Sequence, residues 1–402
     1  MKQSFDTAIN WLCESNLRNK DKNLRSFGGI NNGYNWQSKV YPFVYHEITG
    51  YAISSFLNMY RSLSDDKYLQ YAKEAADYLL QFQVIEEYKI EYGAIPHSLG
   101  LPDLKESKQY WSFDNAMILQ GLADLYLETK GERYYHGAIM IAKWLADKMQ
   151  TESNSFLSMY DAVRNEIHHK GIAFEKDFGC LHAKHAIGLL KAAKISENDV
   201  FEKSAKKVAD WVLSLQREDG AFWSNIHKKF VVTHSHCYAI EGLLYSYYIL
   251  KDEKYLHDCM KGAYWLISRQ YPDGALTVLA KDIMPRGTGR IERMFRSAKA
   301  LKFTDETAQA VRIWLILHNI TDNNKYLEAA EKAIRFLKSV QSLESEDINM
   351  KGGFYYKIDD TFSRHKSRMM YTWCSQFCLD AFDLFQNRKL PNFYDYSLKS
   401  LF

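Results

Sequence analysis

The chain reads as an all-α protein, an (α/α)6 barrel or toroid in which six inner and six outer helices alternate around a ring. Three observations predict it: an internal repeat, two alternating classes of helix, and connections that are short in one direction and long in the other. Segments beginning at Tyr68, Tyr134, Phe201, Tyr255 and Tyr326 each place an aromatic residue ten positions later, at Tyr78, Trp144, Trp211, Trp265 and Phe336. Each then reaches a glutamine: Gln83, Gln150, Gln216, Gln270 and Gln341. Trp11 followed by Leu12 marks a sixth copy near the N-terminus. A repeat of this kind decides the architecture before any single element is assigned.

The repeated segments, such as KYLQYAKEAADYLLQFQ and KYLEAAEKAIRFLKSVQ, carry apolar residues at helical spacing with lysine and glutamate opposite. They are amphipathic outer helices. Before each stands a segment that is apolar almost all round: YHEITGYAISSFLNMY, FDNAMILQGLADLY, GCLHAKHAIGLLKAA, HSHCYAIEGLLYSYYIL, DETAQAVRIWLILHNI and, last, YTWCSQFCLDAFDLF. A helix without a polar face has to be covered on every side, so this class forms the inner layer. The short turns SLSDD, TKGE, ISEND, LKDE and TDNN join inner to outer helix. An open stack of hairpins would repeat at roughly 34 to 47 residues, whereas here the period is 54 to 71. The N-terminal outer helix is therefore expected beside the C-terminal inner helix, closing one domain over residues 1–402.

The return connections are long: 16–42, 84–111, 151–178, 218–233, 271–303 and 342–369. Long loops in compact domains usually carry function. All six emerge at the inner-helix N-termini, where unpaired amides and the helix dipole favour oxygen-rich or anionic ligands. Glycine turns followed by apolar residues, as in GGINNGYNW, DGAFWSN, DGALTVL and GGFYYK, predict short hairpins that bring aromatics to the mouth.

Composition narrows the functional classes. The 402 residues are 47% apolar and 25% charged, with 52 basic against 49 acidic side chains, so no broad basic face for nucleic acid is expected. No apolar run is long enough for a membrane span and no leader pattern opens the chain, so a cytoplasmic protein is expected, without nucleic-acid or membrane partners. The six cysteines form no CxxC pair and fit reduced thiols. The GxSxG, GxxxxGKS and GxGxxG elements of serine hydrolases and nucleotide binders are missing. Oligomeric state is left open.

Counting back from the outer aromatics, the inner-helix starts are unusually polar. This ring holds His46 and Glu47, then Ser112, Asp114 and Asn115, then His182, then His234 and His236, then Asp305 and Glu306, with Trp373 and Gln376 on the last helix. Charged and imidazole side chains at one level of an apolar layer need a reason. Asp114, His236, Glu306, Asp305, His182 and Glu47 are the candidate acid/base residues. His46, Asn115, Trp111, Asp177, Trp223, His234, Arg286, Arg290, Trp373 and Gln376 are candidate substrate contacts, the arginines for an anionic substituent and the tryptophans for stacking on sugar faces. Cys180, His182, His236, Cys237 and Cys374 fall on inner-helix starts with residue types that can bind zinc, but a buried free cysteine serves as a small apolar residue, and neither metal nor cofactor is expected.

The pattern resembles the six-hairpin glycosidase-like superfamily, which implies a carbohydrate-active enzyme. WSFDNAMILQGLADLY is similar to the second inner helix of unsaturated glucuronyl hydrolases, which implies a catalytic aspartate at Asp114. Those enzymes carry a second aspartate ahead of an Arg-Gly-Gln/Asn-x-Trp stretch; here Asp177 precedes FGCLHAKHAIGLL without it. Acylglucosamine-type sugar 2-epimerases are also similar, and they imply proton transfer by barrel histidines, for which His182, His185, His234 and His236 stand here, without the His-x-x-Glu spacing. YTWCSQ resembles the Trp-Cys element of lanthionine synthetase-like cyclases, whereas CLHAK inserts a residue into their Cys-His-Gly element. LQREDGAFW and RQYPDGAL resemble the terpene cyclase and prenyltransferase repeat, without its DxDD cluster.

The expectation is a glycoside hydrolase or lyase acting by general acid/base catalysis on a small or oligomeric sugar bearing a uronate. A sugar epimerase or isomerase, a terpene cyclase-like enzyme and a non-catalytic glycan-binding or scaffold protein stand as alternatives.

Overall fold

The computed structural model describes residues 1–168, 179–226, 229–278, 301–359, 365–390, 393 and 395–397. Among them are twelve α-helices in strict alternation. The outer helices are α1 (Lys2–Glu14), α3 (Asp66–Leu80), α5 (Glu132–Trp144), α7 (Asp199–Leu213), α9 (Glu253–Arg269) and α11 (Asn324–Ser339). The inner helices are α2 (His46–Leu63), α4 (Ser112–Thr129), α6 (His185–Ser196), α8 (Thr233–Leu250), α10 (Thr304–Thr321) and α12 (Thr372–Asn387). A tighter helical turn, Cys180–Lys184, leads into α6.

Local chemistry sets the short inner-to-outer turns. Ser64, Lys130, Glu197, Lys251 and Asp322 end α2, α4, α6, α8 and α10 in the left-handed conformation, with φ of 52° to 56°. At the very next residue an Asp or Asn caps the following outer helix in four repeats: Asp65 accepts from the Lys67 amide, Asn198 from Val200, Asp252 from Lys254 and Asn323 from Lys325.

The repeated glutamines join neighbouring repeats. The side-chain amide of Gln83 donates to the carbonyls of Gly93 and Gly137, that of Gln216 to Gly220 and Asp258, and that of Gln270 to Gly274 and Ala329. Each glutamine thus ties a loop glycine to the following outer helix. The glycine is required: Gly274 has φ +96°, and a Cβ there would lie 2.1 Å from the Lys332 carbonyl oxygen. Gln341 bonds Gly352 at 3.1 Å and, across the chain ends, Ser4 at 2.8 Å. That last bond closes the outer ring.

The inner ring closes as well, because α12 packs against both α1 and α2. Among the described residues ten short strands decorate one end of the ring: β1 (Gly33–Asn35), β2 (Phe43–Tyr45), β3 (Ser98–Gly100), β4 (Gln109–Trp111), β5 (Met159–Asp161), β6 (Glu166–His168), β7 (Leu301–Phe303), β8 (Lys357–Asp359), β9 (His365–Lys366) and β10 (Met369–Tyr371). They pair antiparallel as β1–β10, β2–β3, β4–β5–β6 and β7–β8–β9, so most pairings link one loop to the next. Of these strands only β5–β6 and β8–β9 pair within one loop, so the hairpins expected at GGINNGYNW, DGAFWSN, DGALTVL and GGFYYK are replaced by pairings between loops and by isolated bridges. Among the described residues no helix is long and apolar enough to cross a membrane.

Candidate active site

Six inner segments start in a common register, at His46, Ser112, Gly179, Thr233, Thr304 and Thr372. The first side chain ties down the next loop. Ser112, Thr233, Thr304 and Thr372 donate their hydroxyls to the carbonyls of Leu157, Thr277, Tyr355 and Asn31, each at 2.6 Å, and His46 Nδ1 meets Pro96 at 2.6 Å. At Gly179 the next loop comes too close for any side chain, since a Cβ would lie 1.9 Å from the Ser224 carbonyl oxygen.

The fourth residue does a second structural job in every repeat. Thr49, Asn115, His182, His236, Thr307 and Ser375 accept the backbone N–H of Ile30, Ile95, Phe156, Phe222, Leu276 and Phe354 in their own loops, at 2.8 to 3.3 Å. These side chains lie in the wall between the two layers. His182 and His236, expected as acid/base residues, and His46 and Asn115, expected as substrate contacts, are thus engaged in holding the loops and do not line the mouth cavity. His236 accepts through Nδ1 and donates from Nε2 to the Gly262 carbonyl at 3.1 Å, so both nitrogens are engaged. His46 is likewise held at both nitrogens, the second by the Tyr78 hydroxyl at 2.9 Å. Burial pushes these imidazoles down, to about 4 for His46 and His236 and to about 3 for His182. His185 is buried and stacked flat on Phe156, with ring centroids 4.3 Å apart.

The second residue faces the barrel axis. Glu47, His234, Asp305, Trp373 and Phe113 occupy it, and all five line a cavity of about 270 Å³ at the mouth. The third segment, entered by its tighter turn, presents Leu181 instead. Tyr45, Tyr371 and Tyr356 form the upper wall, with Tyr238 below. Tyr371 stacks on Trp373 at 4.1 Å, and Tyr356 stands edge-on to Tyr371 at 4.9 Å.

The polar groups are paired. Trp373 Nε1 donates to Asp305 Oδ2 at 3.0 Å, and His234 Nδ1 lies 3.6 Å from the same oxygen. Asp305 Oδ1 is buried and makes no hydrogen bond among the described residues. The Tyr45 hydroxyl donates to Glu47. Glu306 belongs with the first pair: donor atoms of His234, Asp305 and Glu306 lie within 4.8 Å of one another, the one group among the described residues whose donors could meet a metal ion. The helix N-termini around them oppose a cation there.

The floor is made where α2 and α8, opposite each other in the ring, touch: Tyr51 donates to the Tyr238 hydroxyl at 3.3 Å. Beneath it lies a buried ionic cluster. Glu241 accepts from Lys184 at 2.7 Å and from Arg312, which also reaches Asp380 at 3.3 Å. Burial opposes the charge on Glu241, but Arg312 and Lys184 outweigh it and hold its carboxyl below the usual range.

The remaining candidates fall elsewhere. Asp114 is fully buried and bonds His97 Nδ1 at 2.7 Å, so it stands behind that imidazole. Trp111 is buried beside His97, with centroids 6.2 Å apart. Trp223 is half-buried under the Arg217 guanidinium, 4.6 Å from its ring, and Gln376 is turned from the mouth, its amide 3.4 Å from the Ile48 carbonyl. Of the cysteines considered beside zinc, Cys180 donates to the Ser235 carbonyl at 3.3 Å, its thiol pushed up by burial to about 12. Asp177, Arg286 and Arg290 lie outside the described residues. Sequence reasoning missed Tyr45, His97, Tyr238, Tyr356 and Tyr371. The aromatic just before the first helical residue, as at Tyr45 and Tyr371, was the available signal.

No family model and no curated protein matches the chain. Among solved structures it is similar to cellobiose 2-epimerase from Bacillus thermoamylovorans B4167, at TM-score 0.73 and 16% identity, over 95% of this chain and 99% of that one. It is similar to D-mannose isomerase at TM-score 0.71 and 12% identity, over 95% and 96%. An unsaturated glucuronyl hydrolase specific for heparin matches at TM-score 0.65 and 14% identity, over 95% of each chain. At such identities the likeness establishes architecture alone: the chain has the (α/α)6 barrel fold of these structures.

Proposed function

We propose that the protein is a carbohydrate-active enzyme that holds one sugar ring in the mouth cavity and moves protons to and from it. The observation that carries this reading is the set Trp373–Asp305–His234 on one side of an aromatic, ring-sized cavity, with Tyr45 and Glu47 on another. Tyr371 and Trp373 offer faces for stacking on the C–H side of a pyranose, and the carboxylates accept from its hydroxyls. Asp305 and His234 are the leading acid/base pair, with Glu47 and Glu306 as partners. Relatives in fold named as epimerase, isomerase and glycosidase agree with such chemistry.

Hydrolysis or elimination at a glycosidic bond is the first reading, because two carboxylates line the cavity. Epimerisation or isomerisation is the second, and it is favoured by the lumen-facing imidazole of His234. A terpene cyclase would need a deep apolar chamber, whereas this cavity ends at Tyr51 and Tyr238 with charges below. The test is incubation with neutral reducing sugars, disaccharides and unsaturated uronate-ended oligosaccharides in D2O, followed by NMR and mass spectrometry. Deuterium entering a ring carbon marks epimerisation or isomerisation, bond cleavage marks hydrolysis or elimination, and no change in any sugar refutes the proposal.

A further inference from the structure

A second His–Asp pair, built from a loop residue and an inner helix, stands behind Tyr45 of the cavity wall. His97 Nδ1 lies 2.7 Å from Asp114 Oδ2, at the foot of the loop between α3 and α4. Asp114 is fully buried, while a quarter of the His97 side chain is exposed. A carboxylate only accepts, so the Nδ1 proton belongs to His97 and points at Asp114. Nε2 then carries a lone pair, and it makes no hydrogen bond among the described residues.

The imidazole is next to the mouth cavity, one residue back from its lining. In five of the six repeats the first inner-helix amide donates to one residue of the next loop, among them His46 N–H to the carbonyl of His97 at 3.2 Å and Thr304 N–H to that of Tyr356 at 3.0 Å. His97 and Tyr356 thus hold equivalent stations, and Tyr356 lines the cavity. The His97 ring stands edge-on to another lining residue, Tyr45, with centroids 4.6 Å apart. The pair sits at the junction of α2 and α4, and the His234–Asp305 pair at the junction of α8 and α10. In a ring ordered α2, α4, α6, α8, α10, α12 those junctions are diametrically opposed.

We infer that His97 is a second acid/base group of the sugar site, with Asp114 as its positioning residue. This rests on the carbohydrate reading above and deepens it. His97 Nε2 takes a proton from a substrate hydroxyl, ring carbon or attacking water, while Nδ1–H stays on Asp114, which stabilises the imidazolium. It returns that proton later in the cycle, so nothing is consumed. A sugar between opposed groups can lose a proton on one face and gain one on the other.

The experiment uses the full chain and the sugar that the wild type turns over. His97→Gln is expected to lower kcat by about 10²- to 10⁴-fold with KM within about threefold. Asp114→Asn is expected to lower kcat comparably, because its amide can donate to Nδ1 and leave the proton on Nε2. Two-bond 1H–15N spectra of histidine-labelled protein report the tautomer directly: Nδ1–H at His97 in the wild type, Nε2–H in Asp114→Asn. Added imidazole should restore part of the activity of His97→Ala, which a purely structural role would not allow. Turnover by His97→Gln within about threefold of wild type, or an Nε2–H tautomer in the wild type, overturns the inference and leaves the carbohydrate reading standing. Failure of the wild type to turn over any sugar defeats the reading itself.

Discussion

The side-chain amide of Gln341 donates to the carbonyl of Ser4 at 2.8 Å, across 337 positions of sequence. This is the outer ring's last join, and equivalent bonds of Gln83, Gln216 and Gln270 recur around the barrel. Gln341→Met keeps most of the volume but leaves the carbonyls of Ser4 and Gly352 without their donor. A loss of about 1 to 3 kcal/mol is expected by urea denaturation, with sugar turnover in the folded protein unchanged. Equal stability of variant and wild type would mean that the join does not hold the ring.

His236 and Asn115 occupy the same station, and each accepts a loop amide. His236→Asn should therefore fold, since the fold already uses asparagine there. The two differ in pH response. The folded His236 imidazole is pushed down to about 4, against an ordinary value of 6.5. Below 6.5 the unfolded chain binds a proton that the native chain refuses, so this contribution is fully present above 6.5 and falls away toward pH 4, by up to ~1.4 kcal/mol per pH unit. Stability curves measured from pH 7 to pH 4.5 should fall less steeply for His236→Asn than for wild type. Parallel curves would contradict the buried, neutral state of this ring.

Glu241 carries the ionic cluster under the floor. Glu241→Gln leaves Lys184 and Arg312 buried against a neutral amide, with an expected cost of about 3 to 5 kcal/mol. Calorimetry gives the loss, and a change of under about 1 kcal/mol would show that the charges find other partners.

Trp373→Phe keeps an aromatic face against Tyr371 but removes the N–H that holds Asp305. About a tenfold fall in kcat is expected, with KM changed less than threefold, since one charge-assisted hydrogen bond is lost while stacking remains. A change in KM alone would make Trp373 a binding residue only.

Much of the fold was legible before coordinates. The repeated aromatic and glutamine marked every outer helix from α3 to α11, and the unbroken apolar segments marked the inner layer. The site was legible only to the level of the mouth. Successive helix residues are about 100° apart, so the second and fourth residues of an inner helix face nearly opposite ways. Polar residues at both stations blur into one patch in sequence, yet His234 faces the mouth cavity and His236 the wall. The separating signal was present: the fourth station is a hydrogen-bond acceptor in all six segments, from Thr49 to Ser375, as a repeated structural duty requires. His97 could not be found by helix periodicity, because a loop and its bond to Asp114 position it.

The most direct measurement is the structure of the chain with a turned-over sugar, or an unreactive analogue, bound at saturation. The account predicts one ring in the mouth cavity, a face against Trp373 or Tyr371 and a hydroxyl within hydrogen-bond reach of Asp305 and His234. A sugar seated on another surface, with the mouth unfilled, would contradict it.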